Sequence, residues 1–217
     1  MDETKSEVSE ETKNIIRVLS IDIGYVNLAY CIVDFNIEQH TFNLVHTEKA
    51  RIGEKKHTCC TLSTALMNFF NDIEILDDNI DYVLIENQVS RSTKNTTLGY
   101  SSFAHFYTRS LYADHDMIVK FISPRDKFKA VENYIPGTLE KYETDSTTAK
   151  SADLKKLSIL ICKDLCNDYK LEKGLEALKV YKKKDDLSDV LLQSFAFDMP
   201  KYSNAGNPVR IKRRMRR

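Results

Sequence analysis

What this 217-residue chain has little of narrows its function before any motif is considered. It holds only six glycines, and no pair of them forms a Gly-rich phosphate turn after a later strand. That removes the sugar kinases and actin-like ATPases, which also open with Asp-x-Gly on a first strand but need such a second turn. No apolar run reaches 18 residues, so no membrane span is expected. The N-terminus is acidic and polar, unlike a signal or transit peptide. Cysteines number five, an odd count with no secretory signal, which points to reduced thiols in an intracellular, reducing compartment. Cys59-Cys60 and Cys162-x3-Cys166 lack a C-x2-C knuckle, and the second pair falls in a helical pattern, where it reads as core rather than zinc ligands. Net charge is also missing, with 32 basic and 32 acidic residues, which argues against a wholesale polyanion binder.

The charge is nevertheless unevenly placed. Residues 1–13 hold five acids against Lys5 and Lys13, whereas Val209 to Arg217 hold six bases and no acid. Such blocks predict a disordered acidic extension over 1–14 and a basic tail over 201–217, the latter suited to nucleic acid or to nuclear addressing. Between them, a hydrophobic content of 42% with 21 Tyr and Phe residues is enough for one packed domain over 15–200.

Within that domain the periodicity changes midway. Residues 16–23, 28–35 and 41–47 read as three successive antiparallel strands. Leu62, Leu66, Phe69, Phe70 and Ile73 follow helical spacing. Tyr82 to Glu86 is a fourth strand, a second helix runs to about Ala113, and Met117 to Ile122 is a fifth strand stopped by Ser123-Pro124. Helices at about 152–168 and Asp185–Phe197 follow, after a loop that contains Pro136-Gly137. The order predicts an α/β fold: a five-stranded mixed sheet, three strands antiparallel and then two parallel, flanked by helices.

Three acidic spots interrupt this apolar frame. Asp22 ends the first strand at a tight Gly24 turn, and Glu86 ends the fourth. Asp185, Asp186 and Asp189 open the last helix, whose remaining residues are apolar nearly all round. Asp186 and Asp189 lie about 60° apart on that helix, and Asp185 and Asp189 about 40° apart. Singly, a strand-end Asp suits a turn and a first-turn Asp suits a cap. Asp189 lies beyond the cap, and buried acids need partners or a metal. If strands one and four are neighbours, Asp22 and Glu86 meet at their carboxyl ends, where α/β sheets place their sites. Hard oxygen donors of this type suit two Mg²⁺ or Mn²⁺ ions.

These residues resemble the RuvC-type Holliday junction resolvases of the RNase H-like superfamily, in particular those of poxviruses and yeast mitochondria. Ser20-Ile21-Asp22-Ile23-Gly24 with Asn27 to Cys31 is similar to the first-strand motif, Leu84-Ile85-Glu86-Asn87-Gln88 to the fourth-strand motif, and Lys183 to Asp189 to the final D-x-x-D motif. The resemblance implies a homodimeric, metal-dependent endonuclease that nicks opposed strands of a four-way DNA junction symmetrically. Asp22, Glu86, Asp186 and Asp189 would be metal ligands and catalytic residues. It also implies an active-site lysine upstream of the last motif, for which Lys156 is chosen and Lys155 is the neighbouring alternative.

DNA contacts are expected from Arg91, Lys94, Lys150, Lys155 and Lys184 around the acids. Tyr100, Phe103 and Tyr107 could stack on bases, but their helical spacing reads as core. An RNase H-like nuclease acting on hybrids or flaps shares the same motifs and stays open. A catalytically silent junction binder is disfavoured because all four acids are present. Residue usage rich in Lys, Asn, Asp, Ile and Tyr suggests an AT-rich genome, which a large DNA virus would fit.

Overall fold

The computed structural model describes residues 14–199 apart from 74–75, 77–78, 88–91, 114, 143–150 and 182. Five strands form one sheet in the order β3-β2-β1-β4-β5. They are β1 (Ile15–Asp22), β2 (Leu28–Asn36), β3 (Thr41–Ala50), β4 (Tyr82–Glu86) and β5 (Ile118–Ile122). The first three are antiparallel neighbours, while β4 runs parallel to both β1 and β5, as the sequence pattern predicts.

Both faces of the sheet are covered, which explains why β1 and β2 read as continuous apolar runs rather than alternating ones. Leu19, Ile21, Tyr30, Ile32, Val83 and Ile85 face α1 (Cys59–Asp72) and α2 (Thr93–Ser110). Val18, Ala29, Cys31, Val33, Phe35 and Leu84 face the other layer. That layer comprises α3 (Asp126–Tyr134), α4 (Ser151–Asp168), α5 (Glu172–Val180) and α6 (Lys184–Ser194), with a 3-10 turn at Phe195–Asp198. The sheet therefore stands between Cys59-Cys60, at the start of α1, and the buried pair Cys162 and Cys166 on α4.

Three features differ from those predicted. β3 runs three residues past Thr47, which carries Lys49 into the ladder opposite Ala29. The sequence reads Asn87 to Thr97 as a polar segment that leads into the second helix, but α2 already starts at Thr93, because Ser92 Oγ accepts from Asn95 N–H at 3.4 Å as an N-cap. α5 is an additional helix whose pattern is broken by Gly174. A Cβ at that position would stand 2.5 Å from Cys166 Sγ, so the close crossing of α4 and α5 requires glycine there.

Candidate active site

The sheet geometry brings the first two acids together. Ile21 pairs with Ile85 in parallel register, so the next residues, Asp22 and Glu86, stand side by side at the carboxyl ends of β1 and β4. Their side chains point to the α6 face, because Val18, Ser20 and Asp22 alternate with Leu19 and Ile21 on the opposite face. The turn after Asp22 is held closed by its own backbone: a Cβ on Gly24 would come within 2.6 Å of Asn27 O. Tyr25 O accepts from Ile52 N–H and Gly53 N–H at 3.0 and 2.9 Å, which ties this turn to the loop that follows β3.

α6 supplies the other acids. Its apolar residues Leu187, Val190, Leu191 and Leu192 are buried, at roughly 1.5–3 kcal/mol each. One buried polar residue sets its position. Gln193 Nε2 lies 3.1 Å from Ser20 Oγ, 3.2 Å from Ile21 O and 3.0 Å from Leu84 O, spanning β1 and β4 just below the two acids. Gln193 lies one helical turn after Asp189 and two after Asp186, so this clamp holds their shared face over the strand ends. No motif in the sequence signals the residue.

The electrostatics are those of crowded carboxylates. Burial drives the Asp22 carboxyl well above the ordinary aspartate range, and Glu86, Asp189 and Asp186 push it further. Glu86 is also raised, first by burial, while its hydrogen bond with Asp22 and the Lys127 charge pull it back. Burial and mutual repulsion thus favour one proton shared between the two carboxyls.

Two lysines meet the α6 acids. Lys127, in the first turn of α3, sets its Nζ 2.5 Å from Asp189 Oδ1. That oxygen is buried and has no aligned hydrogen-bond donor among the described residues, so the contact is one of opposite charges. Lys49, on β3, sets its Nζ 2.5 Å from Asp186 Oδ2. Both lysine side chains are nearly buried, with relative exposures of 12% and 11%.

Both lysines weighed from the sequence are exposed on α4. Lys156, the residue chosen from the sequence, is exposed on α4 and makes no ion pair among the described residues, because α4 turns its neighbours Leu157 and Ser158 inward instead. Lys155 reaches Asp185 at 2.6 Å. Burial pushes Asp185 up, but the Lys155 ammonium outweighs it and holds the carboxyl below the usual range. Asp185 is thus an ion-pair partner at the rim. Sequence reasoning missed Lys49 and Lys127 altogether.

Of the expected DNA contacts, Arg91 and Lys150 lie outside the described residues. Lys184 is exposed at the start of α6. The Lys94 ammonium donates to Lys55 O and lies 5.7 Å from the centre of the Tyr25 ring, so it braces two loops at the rim. The aromatic residues of α2 divide: Phe106 is buried in the core and Phe103 packs against it, whereas the two tyrosines turn outward. Tyr100 is 64% exposed and Tyr107 37%, and Phe103 stacks between Tyr107 and Phe121 on the outer side of the edge strand β5.

Among the described residues, no three carboxylate, imidazole or thiol groups stand ready-made as a metal cage. The donor set nevertheless fits a hard divalent cation. It is all oxygen, partly buried, and only partly balanced by a shared proton and two ammonium groups.

The strand order and flanking helices define the RNase H-like fold, in the form seen in RuvC-type resolvases. No family model and no curated protein matches the chain. Among solved structures it is similar to the fowlpox virus Holliday junction resolvase, with 18% identity over 84% of this chain and 96% of that one and a TM-score of 0.55. The yeast mitochondrial Holliday junction resolvase is similar at 19% identity, over 84% of this chain and 78% of that one, with a TM-score of 0.57. Thermus thermophilus RuvC is similar at 14% identity, 83% and 95% coverage and a TM-score of 0.54.

Proposed function

We propose that this protein is a divalent-metal-dependent endonuclease that resolves four-way DNA junctions by paired, symmetric nicks. The observation that carries the proposal is the convergence of Asp22, Glu86, Asp186 and Asp189 at one end of a resolvase-type sheet, with Lys127 among them. The solved structures of this fold include a fowlpox virus resolvase in complex with Holliday junction DNA, which lends support to a branched substrate.

In this reading the four acids hold two Mg²⁺ or Mn²⁺ ions, which would polarise the phosphodiester and make water a nucleophile near neutral pH. The chain's own residues do the rest. Asp22 gives up the proton it shares with Glu86, so both carboxylates can act as oxygen donors. Lys127, released from Asp189, offers its ammonium to the charge that builds on the phosphate in the transition state. Gln193 fixes α6 against β1 and β4, so that the two pairs of acids keep their spacing. Exposed Lys184 beside the acids meets the DNA backbone electrostatically.

A junction has twofold symmetry, and two nicks require two sites. The exposed stripe of Tyr100, Tyr107 and Leu111 along α2 offers a face for a second copy, flanked by Phe103 and Phe121. The test uses a synthetic four-way junction, end-labelled on each strand in turn. Mg²⁺ or Mn²⁺ should give symmetric nicks, and Asp22→Asn should bind the junction without cutting it. Equal cleavage of linear duplex or hybrid would refute junction resolution, and full activity in Asp189→Asn would refute the metal-ligand set.

A further inference from the structure

Lys49 occupies a position that helix stability does not explain. It is the next-to-last residue of β3, opposite Ala29 on β2, which is itself opposite Asp22 on β1. Directly paired residues on antiparallel strands project to the same face, so Lys49, Ala29 and Asp22 form one row across the sheet. The small Ala29 side chain lets the lysine stem cross the middle strand. Its ammonium ends 2.5 Å from Asp186 Oδ2 and 3.4 Å from the carbonyl of Lys183, the residue that caps α6. A cation is unfavourable at a helix N-terminus. A buried ammonium also carries a desolvation penalty that an uncharged side chain would avoid. What holds Lys49 there is Asp186 itself. Lys127 enters from the opposite side to meet Asp189, so each acid of α6 has one lysine.

We infer that Lys49 is an active-site positioning residue: a tethered cation that holds Asp186 over the strand ends when no metal is bound and yields it to a divalent ion. Its ammonium, once released, stands beside the metal-bound acids, where a DNA phosphate would take up its charge. The inference rests on reading the acids as metal ligands, and it adds a residue that none of the acidic motifs contains. Metal uptake then becomes an exchange of one cation for another. Phosphate assists that exchange by giving the displaced ammonium a new anion.

The test is Mn²⁺ binding to the full chain without DNA, followed by calorimetry or by the loss of the free-ion paramagnetic resonance signal. Lys49→Met keeps the apolar stem and removes the competing charge, so it should bind Mn²⁺ about tenfold more tightly than wild type. Lys49→Arg keeps the charge and should bind Mn²⁺ as wild type does. Adding junction DNA should tighten Mn²⁺ binding by wild type but leave Lys49→Met nearly unchanged. Unaltered or weaker Mn²⁺ binding by a folded Lys49→Met would overturn the inference, as would an equal response of both proteins to DNA. Should Lys49→Met not fold, Lys49→Gln replaces it under the same criteria. If wild type binds Mn²⁺ but cuts no junction, the nuclease reading fails while the exchange at Lys49 is still decided.

Discussion

Replacing Asp22 by Asn should stabilise the metal-free protein while abolishing its activity. Near neutral pH the wild-type site has two unfavourable choices. It either keeps a proton on the Asp22–Glu86 pair against the solution pH or ionises two neighbouring buried carboxylates. Coulomb repulsion between unit charges about 4–5 Å apart is of the order of 3–4 kcal/mol at an effective dielectric constant near 20. Retaining the proton at a pH above the ordinary aspartate value of 3.8 is the cheaper choice, and it still costs about 1.4 kcal/mol for each tenfold change in the acid constant. Asparagine has the shape of the protonated acid, and its amide can donate to Glu86. The expected gain is therefore about 1–3 kcal/mol, or roughly 2–10 °C in melting temperature for a domain of this size.

The sign with pH follows from the direction of the shift. Asp22 in the folded state holds its proton to higher pH than in the unfolded state, so wild-type stability falls as pH rises above 3.8. The substituted amide cannot titrate, so most of that slope should vanish in the variant, leaving the part due to Glu86, which is raised too. Thermal melts of both proteins in a metal chelator, from pH 4 to 8, make the comparison. The two curves should converge near pH 4 and separate upward. Saturating Mg²⁺ should then stabilise wild type more than the variant, because only the native wild-type site gains the full ligand set. A variant less stable than wild type at pH 7.5, or a difference independent of pH, would refute the crowding argument.

Two further outcomes follow from contacts around the acids. Gln193→Leu keeps the volume but removes the donors to Ser20 Oγ, Ile21 O and Leu84 O, so urea melts should show a loss of about 1–3 kcal/mol, and a change below about 0.5 kcal/mol would show that the clamp contributes little. Lys127→Met should lower the single-turnover cleavage rate by about a hundredfold or more while junction affinity stays within about threefold, and equal losses in both would make Lys127 a binding residue instead.

The fold was legible because its signals are local. β1 and β2 are long apolar runs around a glycine turn, and β4 is a short one that ends in an acid. The change from period two to helical spacing after β3 marks where parallel crossovers begin. What escaped is what long-range contact decides. Gly174 breaks the helical pattern of α5, yet it is there because Cys166 lies against it. Tyr100, Phe103 and Tyr107 have the spacing of a core stripe, and Phe103 does pack against the core, but α2 leaves Tyr100 and Tyr107 exposed. Periodicity reports that one face of a helix is apolar, not whether this chain covers it.

The candidate site divides along the same line, and the division has a physical cause. Carboxylates stand out in a sequence because they interrupt apolar runs, and Asp22, Glu86 and Asp189 all do so. Lysines do not, in a chain with 32 basic residues. The helix that carries Lys156 precedes the final acids in sequence, yet it reaches only Asp185, through Lys155, and the ammonium groups that meet Asp186 and Asp189 come from β3 and α3. For Lys49 the deciding fact is strand register: with β3 ending at Thr47 it would be a loop residue, and with the ladder extended to Ala50 it shares a row with Asp22. For Lys127 it is the packing of α3 beside α6, which sets the first turn of one helix against the second turn of the other. Carboxylates declare an anionic centre in one dimension, whereas the cations that balance it are chosen by tertiary placement. A search for counter-charges in folds of this type should therefore begin from the rows of the sheet and not from the motifs.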